Sequence, residues 1–126
     1  MNIEIISHEA AFTDDRGHVT TYLPKDPLVE INVIFSKKGV IRGFHYHPEY
    51  EEYMIITKGQ GSITEYYEDG SSETLYTPEG SIVRIPTNIN HSSKALTDYT
   101  FVNLLTKKWS DCDTPIVTTK DKLWKY

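Results

Sequence analysis

The chain of 126 residues has one cysteine, Cys112. A single thiol closes no internal disulfide, so a disulfide-stapled framework is excluded and a reducing compartment is expected. No apolar run approaches the ~20 residues that span a bilayer as a helix. The opening residues Met1-Asn2-Ile3-Glu4 lack a basic-then-apolar leader pattern. Basic charge is scarce: 13 Lys and Arg face 18 Asp and Glu, for a net charge of −5. With no Lys/Arg run, neither nucleic acid nor an anionic membrane is expected as a partner. Also missing is a 3.6-residue apolar period, so no segment predicts a helix. The location expected from these absences is the cytoplasm.

Aromatic residues are plentiful. Nine Tyr, four Phe and two Trp lie mostly among Thr, Val and Ile, which is strand composition. The length fits one domain, 1–126, and lets the chain bury roughly two thirds of its unfolded surface without a disulfide or metal staple. Period-two patterning predicts about ten short strands: Ile3–Ile6, His18–Leu23, Glu30–Phe35, Val40–His47, Glu52–Thr57, Ser62–Tyr67, Glu73–Tyr76, Ser81–Ile85, His91–Leu96 and Tyr99–Leu105. Phe12 to Gly17 reads as a turn, and Asp69-Gly70 is a strong hairpin signal. Such spacing predicts an all-β antiparallel sandwich or barrel. The polar stretch Lys107 to Tyr126, with Trp109 and Trp124, is expected to wrap that body or dock on a partner.

The histidines carry the chemistry. His45 and His47 flank Tyr46, and residues i and i+2 of a strand share a face, so the two imidazoles converge. In Glu52-Tyr53-Met54-Ile55-Ile56, Glu52 shares a face with Met54 and Ile56, which are core by type, so Glu52 is expected inside. A buried carboxylate costs several kcal/mol unless it is paired or ligated. Glu51, one residue off, faces solvent. His45, His47, Glu52 and His91 together offer three nitrogens and one carboxylate, a set suited to a divalent transition metal such as Fe(II), Mn(II), Ni(II) or Zn(II). His8 and His18 read as surface residues, and Cys112 as inert.

Gly39, His45, His47, Glu52 and Gly59, separated by five, one, four and six residues, resemble the first motif of the cupin superfamily. Gly80, Pro86, Asn88 and His91 resemble the second, with Asn88 at a position where glycine is usual and a positive φ is called for. The motif's closing Asn falls at Ala95. Within that superfamily, Asp14-Asp15-Arg16-Gly17 and Arg42-Gly43-Phe44-His45-Tyr46-His47 resemble the deoxysugar-nucleotide cupins, over roughly residues 10–117. These are the dTDP-4-dehydrorhamnose 3,5-epimerases and the shorter dTDP-4-keto-6-deoxyglucose 3,4-ketoisomerases.

The resemblance implies a single small jelly-roll (cupin) barrel that isomerises or epimerises a dTDP-4-keto-6-deoxyhexose with no required cofactor. The hydrogens beside the sugar's carbonyl are acidic. The chemistry needs a base, a proton donor and contacts to an enediolate oxygen. By resemblance His45 is the base and His47 the second acid/base group. Arg16 and Arg42 hold the diphosphate, His91 lines the substrate site, and Phe12 or Tyr22 stacks on the nucleobase. The epimerase lysine falls at Glu52 and its tyrosine acid near Asn103, which favours the ketoisomerase branch. Tyr46, Tyr53, Tyr66 and Tyr76 are the candidates for the missing acid. A homodimer is expected, with Ile3 to Ser7 crossing to the partner's sheet. Two alternatives use the same residues: a metal-dependent cupin, such as a dioxygenase or phosphosugar isomerase, and a non-catalytic sugar-binding module.

Overall fold

The computed structural model describes residues 1–6 and 10–119. His8, Ser7 and Trp124 lie outside the described residues. The strands are β1 (Glu4–Ile5), β2 (Ala10–Asp14), β3 (Gly17–Thr20), β4 (Glu30–Ser36), β5 (Ile41–Tyr46), β6 (Glu52–Lys58), β7 (Gly61–Tyr66), β8 (Ser72–Thr77), β9 (Ile82–Ile85), β10 (His91–Ala95), β11 (Tyr99–Leu105) and β12 (Val117–Thr118). A 3₁₀ turn covers Trp109–Asp111. None of the described helices is long and apolar enough to cross a membrane.

Two antiparallel five-stranded sheets face each other, in the orders β1-β9-β6-β11-β4 and β12-β5-β10-β7-β8, while β2 and β3 form a separate hairpin. The expected all-β jelly roll is therefore present, but its sheets do not close into a continuous barrel. The edge strand β4 has no backbone ladder to β5, and a side chain spans part of that gap. Arg42 Nε donates to Ser36 Oγ at 2.7 Å, and its terminal nitrogen donates to the Phe35 carbonyl at 3.0 Å.

Most predicted strands appear within a residue or two. Asp69-Gly70 turns β7 into β8, pairing Tyr66 with Ser72, and Gly70 takes φ 90°. The predicted turn at Phe12 to Gly17 is tighter than expected. β2 runs on to Asp14, so only Asp15 and Arg16 form the connection. Ala10-Ala11-Phe12 lacks the β-branched residues that mark a strand. β1 pairs with β9 of its own chain, Glu4 with Arg84 and Ile5 with Val83. Its anchor is Glu65, 1 % exposed. Glu65 Oε1 accepts the backbone N–H groups of Asn2 and Ile3, each at 2.9 Å, and Oε2 accepts the Asn2 carboxamide at 2.7 Å.

Met54 and Ile56 (β6), Ile63 (β7), Val83 and Ile85 (β9), Tyr99 and Phe101 (β11), with Ile3, fill one end of the interior. Each is 3 % exposed or less. Glu52 at the start of β6, His91 at the start of β10 and Asn103 on β11 also point inward and are buried. The apolar end supplies the burial energy and holds the strands in register, so the polar end is a preformed site.

Candidate active site

His45, His47 and His91 converge as expected. One ligating nitrogen from each lies within 4.8 Å of the others. The His45 ring centre is 4.6 Å from that of His47 and 4.9 Å, edge-on, from that of His91. Pairing of β5 with β10 places His45 opposite His91. Glu52, at the start of β6, points its Oε2 to 3.2 Å from His47 Nε2 and 3.8 Å from His91 Nε2. Asn103 on β11 donates to the other oxygen, Oε1, at 2.5 Å. Asn103 in turn accepts from Asn32 at 3.1 Å, and Asn32 also donates to Glu30 at 2.9 Å.

A bulge brings Arg42 into this site. Strict alternation puts Arg42 on the face opposite His45. Here the β5–β10 register slips, with Ser93 opposite Arg42, Ser92 opposite Gly43 and His91 opposite His45. Phe44 is the extra residue, at φ 59°, next to Gly43 at φ 112°. Asn88 also takes a positive φ, 63°, as the motif position requires.

The ring nitrogens away from the centre are engaged. His91 Nδ1 lies 2.8 Å from the Ile89 carbonyl, an acceptor only, so Nδ1 carries the proton and Nε2 presents its lone pair to the site. His47 stacks on Tyr50, ring centres 4.5 Å apart. The Tyr50 hydroxyl donates to His47 Nδ1 at 2.7 Å in the tautomer with its proton on Nε2. In the other tautomer Nδ1–H donates to the Pro115 carbonyl at 3.1 Å. Among the described residues no hydrogen bond fixes the His45 ring.

Burial, reinforced by repulsion from His91 and His47 and only partly opposed by Glu52, pushes His45 down to about 3. Burial also lowers His91 against the pull of Glu52. For Glu52 burial acts upward, but the His47 bond and the three imidazoles outweigh it and keep the carboxyl below its usual range. Burial, with Glu52 nearby, raises the Tyr50 phenol. At neutral pH the site thus holds an ionised carboxylate, neutral His45 and His91, and a protonated phenol.

Two hollows with shared lining residues open onto these groups. One, about 110 Å³, is lined by Arg42, His45, Glu52, His91 and Ser93 among others. The second, about 220 Å³, is lined by His45, His47, Tyr50, Glu52, Asn103 and Trp109 among others. His45 and Glu52 line both. Together they lie at the small end of the ~300–1,000 Å³ that enclose a small organic ligand.

Other expected participants lie elsewhere. Arg16 sits on the β2–β3 hairpin, where Asp14 accepts from its Nε at 2.9 Å and its terminal nitrogen at 2.7 Å. With Phe12 and His18 it lines a separate depression. Tyr22 lies against Tyr53, over the outer face of β6. Tyr46 lines a hollow that none of the three clustered histidines reaches, Tyr66 meets Ser92, and Tyr76 meets Gln60. None of the four tyrosines considered as the acid lines the histidine hollows. The tyrosine there is Tyr50, which the motif spacing did not single out. Glu51 faces outward, as expected, paired with Arg84.

A metal is tested by the same geometry. Glu52 Oε2 is buried facing two ring nitrogens, His47 Nε2 at 3.2 Å and His91 Nε2 at 3.8 Å. The proton of His91 points away, to a carbonyl, as in a typical metal-binding imidazole. Tetrahedral ligands at ~2.1 Å from one ion lie ~3.4 Å apart, so a bound ion would draw these rings closer together than the 4.8 Å within which they now lie. His45, His47, His91 and Glu52 therefore fit a divalent transition metal.

No family model matches the chain, and no curated protein matches it by sequence. Solved structures do. The WlaRB TDP-quinovose 3,4-ketoisomerase from Campylobacter jejuni superposes with a TM-score of 0.79 at 17% identity, covering 97% of this chain and 96% of that one. QdtA, a sugar 3,4-ketoisomerase from Thermoanaerobacterium thermosaccharolyticum solved with TDP, gives 0.77 at 17% identity over 95% and 90%. The dTDP-4-dehydrorhamnose 3,5-epimerase from Sulfolobus tokodaii gives 0.61 at 20% identity over 86% and 77%. The chain shares the fold of these sugar-nucleotide enzymes.

Proposed function

We propose that the protein is a sugar-nucleotide isomerase or epimerase acting on a dTDP-4-keto-6-deoxyhexose, with 3,4-ketoisomerase-type transfer favoured over 3,5-epimerisation. The observation that carries this reading is His45. It is a neutral imidazole, unclamped by hydrogen bonds among the described residues, and it lines both hollows beside a second histidine backed by Glu52 and Tyr50. In this reading His45 takes the proton beside the carbonyl and His47 returns one. A low basicity suits this step once an anionic ligand enters, because nearby negative charge raises a histidine pKa. Arg42 and His91 contact the substrate. Arg16 is kept as a diphosphate ligand only if a second copy brings its hairpin to the cleft. No cofactor is needed for this chemistry.

The test is incubation with dTDP-4-keto-6-deoxyglucose in heavy water. Deuterium is expected at a carbon beside the carbonyl with wild-type protein and none with His45→Asn. A protein that binds the sugar without exchange is instead a binding module.

A homodimer belongs to the same reading. Ile31, Val33 and Phe35, on the outward face of the edge strand β4, are 68%, 72% and 54% exposed. A second copy covering that row would bury an exposed apolar face. Light scattering of wild type and Val33→Asp tests it. The free thiol of Cys112 supports a cytoplasmic location.

The convergence of Glu52 Oε2 with the three imidazoles and the outward proton of His91 favour a second reading, a metal-dependent enzyme on the same residues. A bound divalent ion would act there as a Lewis acid, polarising a ligand oxygen. Metal analysis of untagged protein decides: a stoichiometric transition metal, lost in His91→Ala, supports it.

A further inference from the structure

The geometry points to Trp109 as the wall against which the hexose ring of a nucleoside diphosphate sugar lies, an inference that rests on the sugar-nucleotide reading above. Trp109 is 44% exposed and lines the same hollow as His45, His47 and Glu52. A lone exposed aromatic needs no explanation, but this one is held in place by its backbone. Its N–H donates to Glu30 Oε1 at 2.9 Å, and the turn closes through Asp111 N to Lys108 O and Cys112 N to Trp109 O. Glu49 pins both flanks, accepting from Lys107 Nζ at 2.8 Å and from Thr114 N at 2.5 Å. The other Glu30 oxygen takes Asn32, and the chain continues through Asn103 to Glu52. The indole and the inner carboxylate therefore share one anchor.

The ligand class follows from the walls. Ile34, Leu105 and Ile116 are aliphatic, while the polar groups converge at the histidine end. A pyranose has the matching character, with C–H groups on its faces and hydroxyls at its rim. An indole offers a large, rigid apolar plane with a negative π-face toward those C–H groups, at little entropy cost.

The chain has two tryptophans, so Trp124→Phe leaves Trp109 as the sole indole reporter. TDP-glucose is expected to change its emission saturably, and TDP alone much less. Trp109→Ala is expected to weaken TDP-glucose binding about tenfold while leaving TDP affinity within about twofold, and Trp109→Phe should keep most of the affinity. Matching melting curves would exclude misfolding. Equal responses to TDP and TDP-glucose, unchanged TDP-glucose affinity in Trp109→Ala, or no binding of either probe would each overturn the assignment. Deuterium exchange reads the parent reading separately. Exchange with a Trp109-independent affinity sinks only the wall, and Trp109-dependent binding without exchange sinks only the catalysis.

Discussion

Asn103 holds Glu52 by one oxygen and leaves the other to the histidines. Its carboxamide donates to Oε1 at 2.5 Å, while Oε2 stands 3.2 Å from His47 Nε2. The donor direction is fixed by what lies behind. Asn32 donates to Asn103 Oδ1, which polarises the amide and strengthens the bond to Glu52. A carboxamide donor has no proton to give up at neutral pH, so Asn103 is a positioning residue.

Asn103→Leu is therefore expected to leave a buried carboxylate oxygen unpaired and to destabilise the fold by about 1–3 kcal/mol. In a Glu52→Gln background the same substitution should cost less, because the remaining partner is neutral. Urea unfolding of the four proteins in that double-mutant cycle measures the coupling. Additive effects would mean that the two side chains do not act as a pair.

The pattern of two made the histidine face legible in advance. His45 and His47 share a face because they are two apart, and Glu52 shares one with Met54 and Ile56. Asn88 at a positive φ was also readable, since the motif asks for it. The bulge at Gly43-Phe44 was not readable, because a one-residue slip depends on how β10 lies against β5 and alternation alone carries no sign of it. Tyr50 and Asn103 were missed for different reasons. Tyr50 sits in the loop between β5 and β6, where no periodicity applies. Asn103 did leave a signal, a polar residue between Phe101 and Leu105 on an inward face. Arg16 was placed by motif likeness, and a motif does not say where a hairpin packs.

Gly43 is expected to be the least replaceable glycine at the site. A Cβ there would meet the His91 carbonyl oxygen at 2.7 Å and the Ser92 Cα at 2.8 Å, both backbone atoms with little room to move. Its φ of 112° adds strain for any L side chain, of order 1–3 kcal/mol. Gly43→Ala should lower the melting temperature and shift the His45 and His91 imidazole resonances together. A stable variant with unmoved resonances would show that the bulge does not depend on glycine.

Glu65 fastens the first strand, so its loss should open that strand before the rest. Glu65→Ala leaves the Asn2 and Ile3 amides without their carboxylate. Hydrogen exchange at Ile6, whose N–H donates to Ile82 O at 2.8 Å, is expected to accelerate, while exchange on β11 stays slow. Glu65→Gln should be milder, since one carbonyl oxygen can still take both backbone donors and Asn2 can turn its amide to meet the new N–H groups. Equal acceleration across both sheets in Glu65→Ala would mean that β1 is part of the global unit and is not separately fastened.

Acid should destabilise the metal-free protein through the imidazoles. Folding lowers His45 from the ordinary 6.5 to about 3 and lowers His91 as well. Between those values the unfolded chain binds more protons than the folded one, so stability rises with pH across that range and is lost as pH falls from about 6.5 toward 3. Glu52, held below its usual range, adds a loss of the same sign at the acid end. Urea midpoints of chelator-treated protein at several pH values between 4 and 7 measure the slope. His45→Asn, which removes one of these groups, is expected to flatten it. An unchanged slope would mean that His45 is not held neutral by its surroundings.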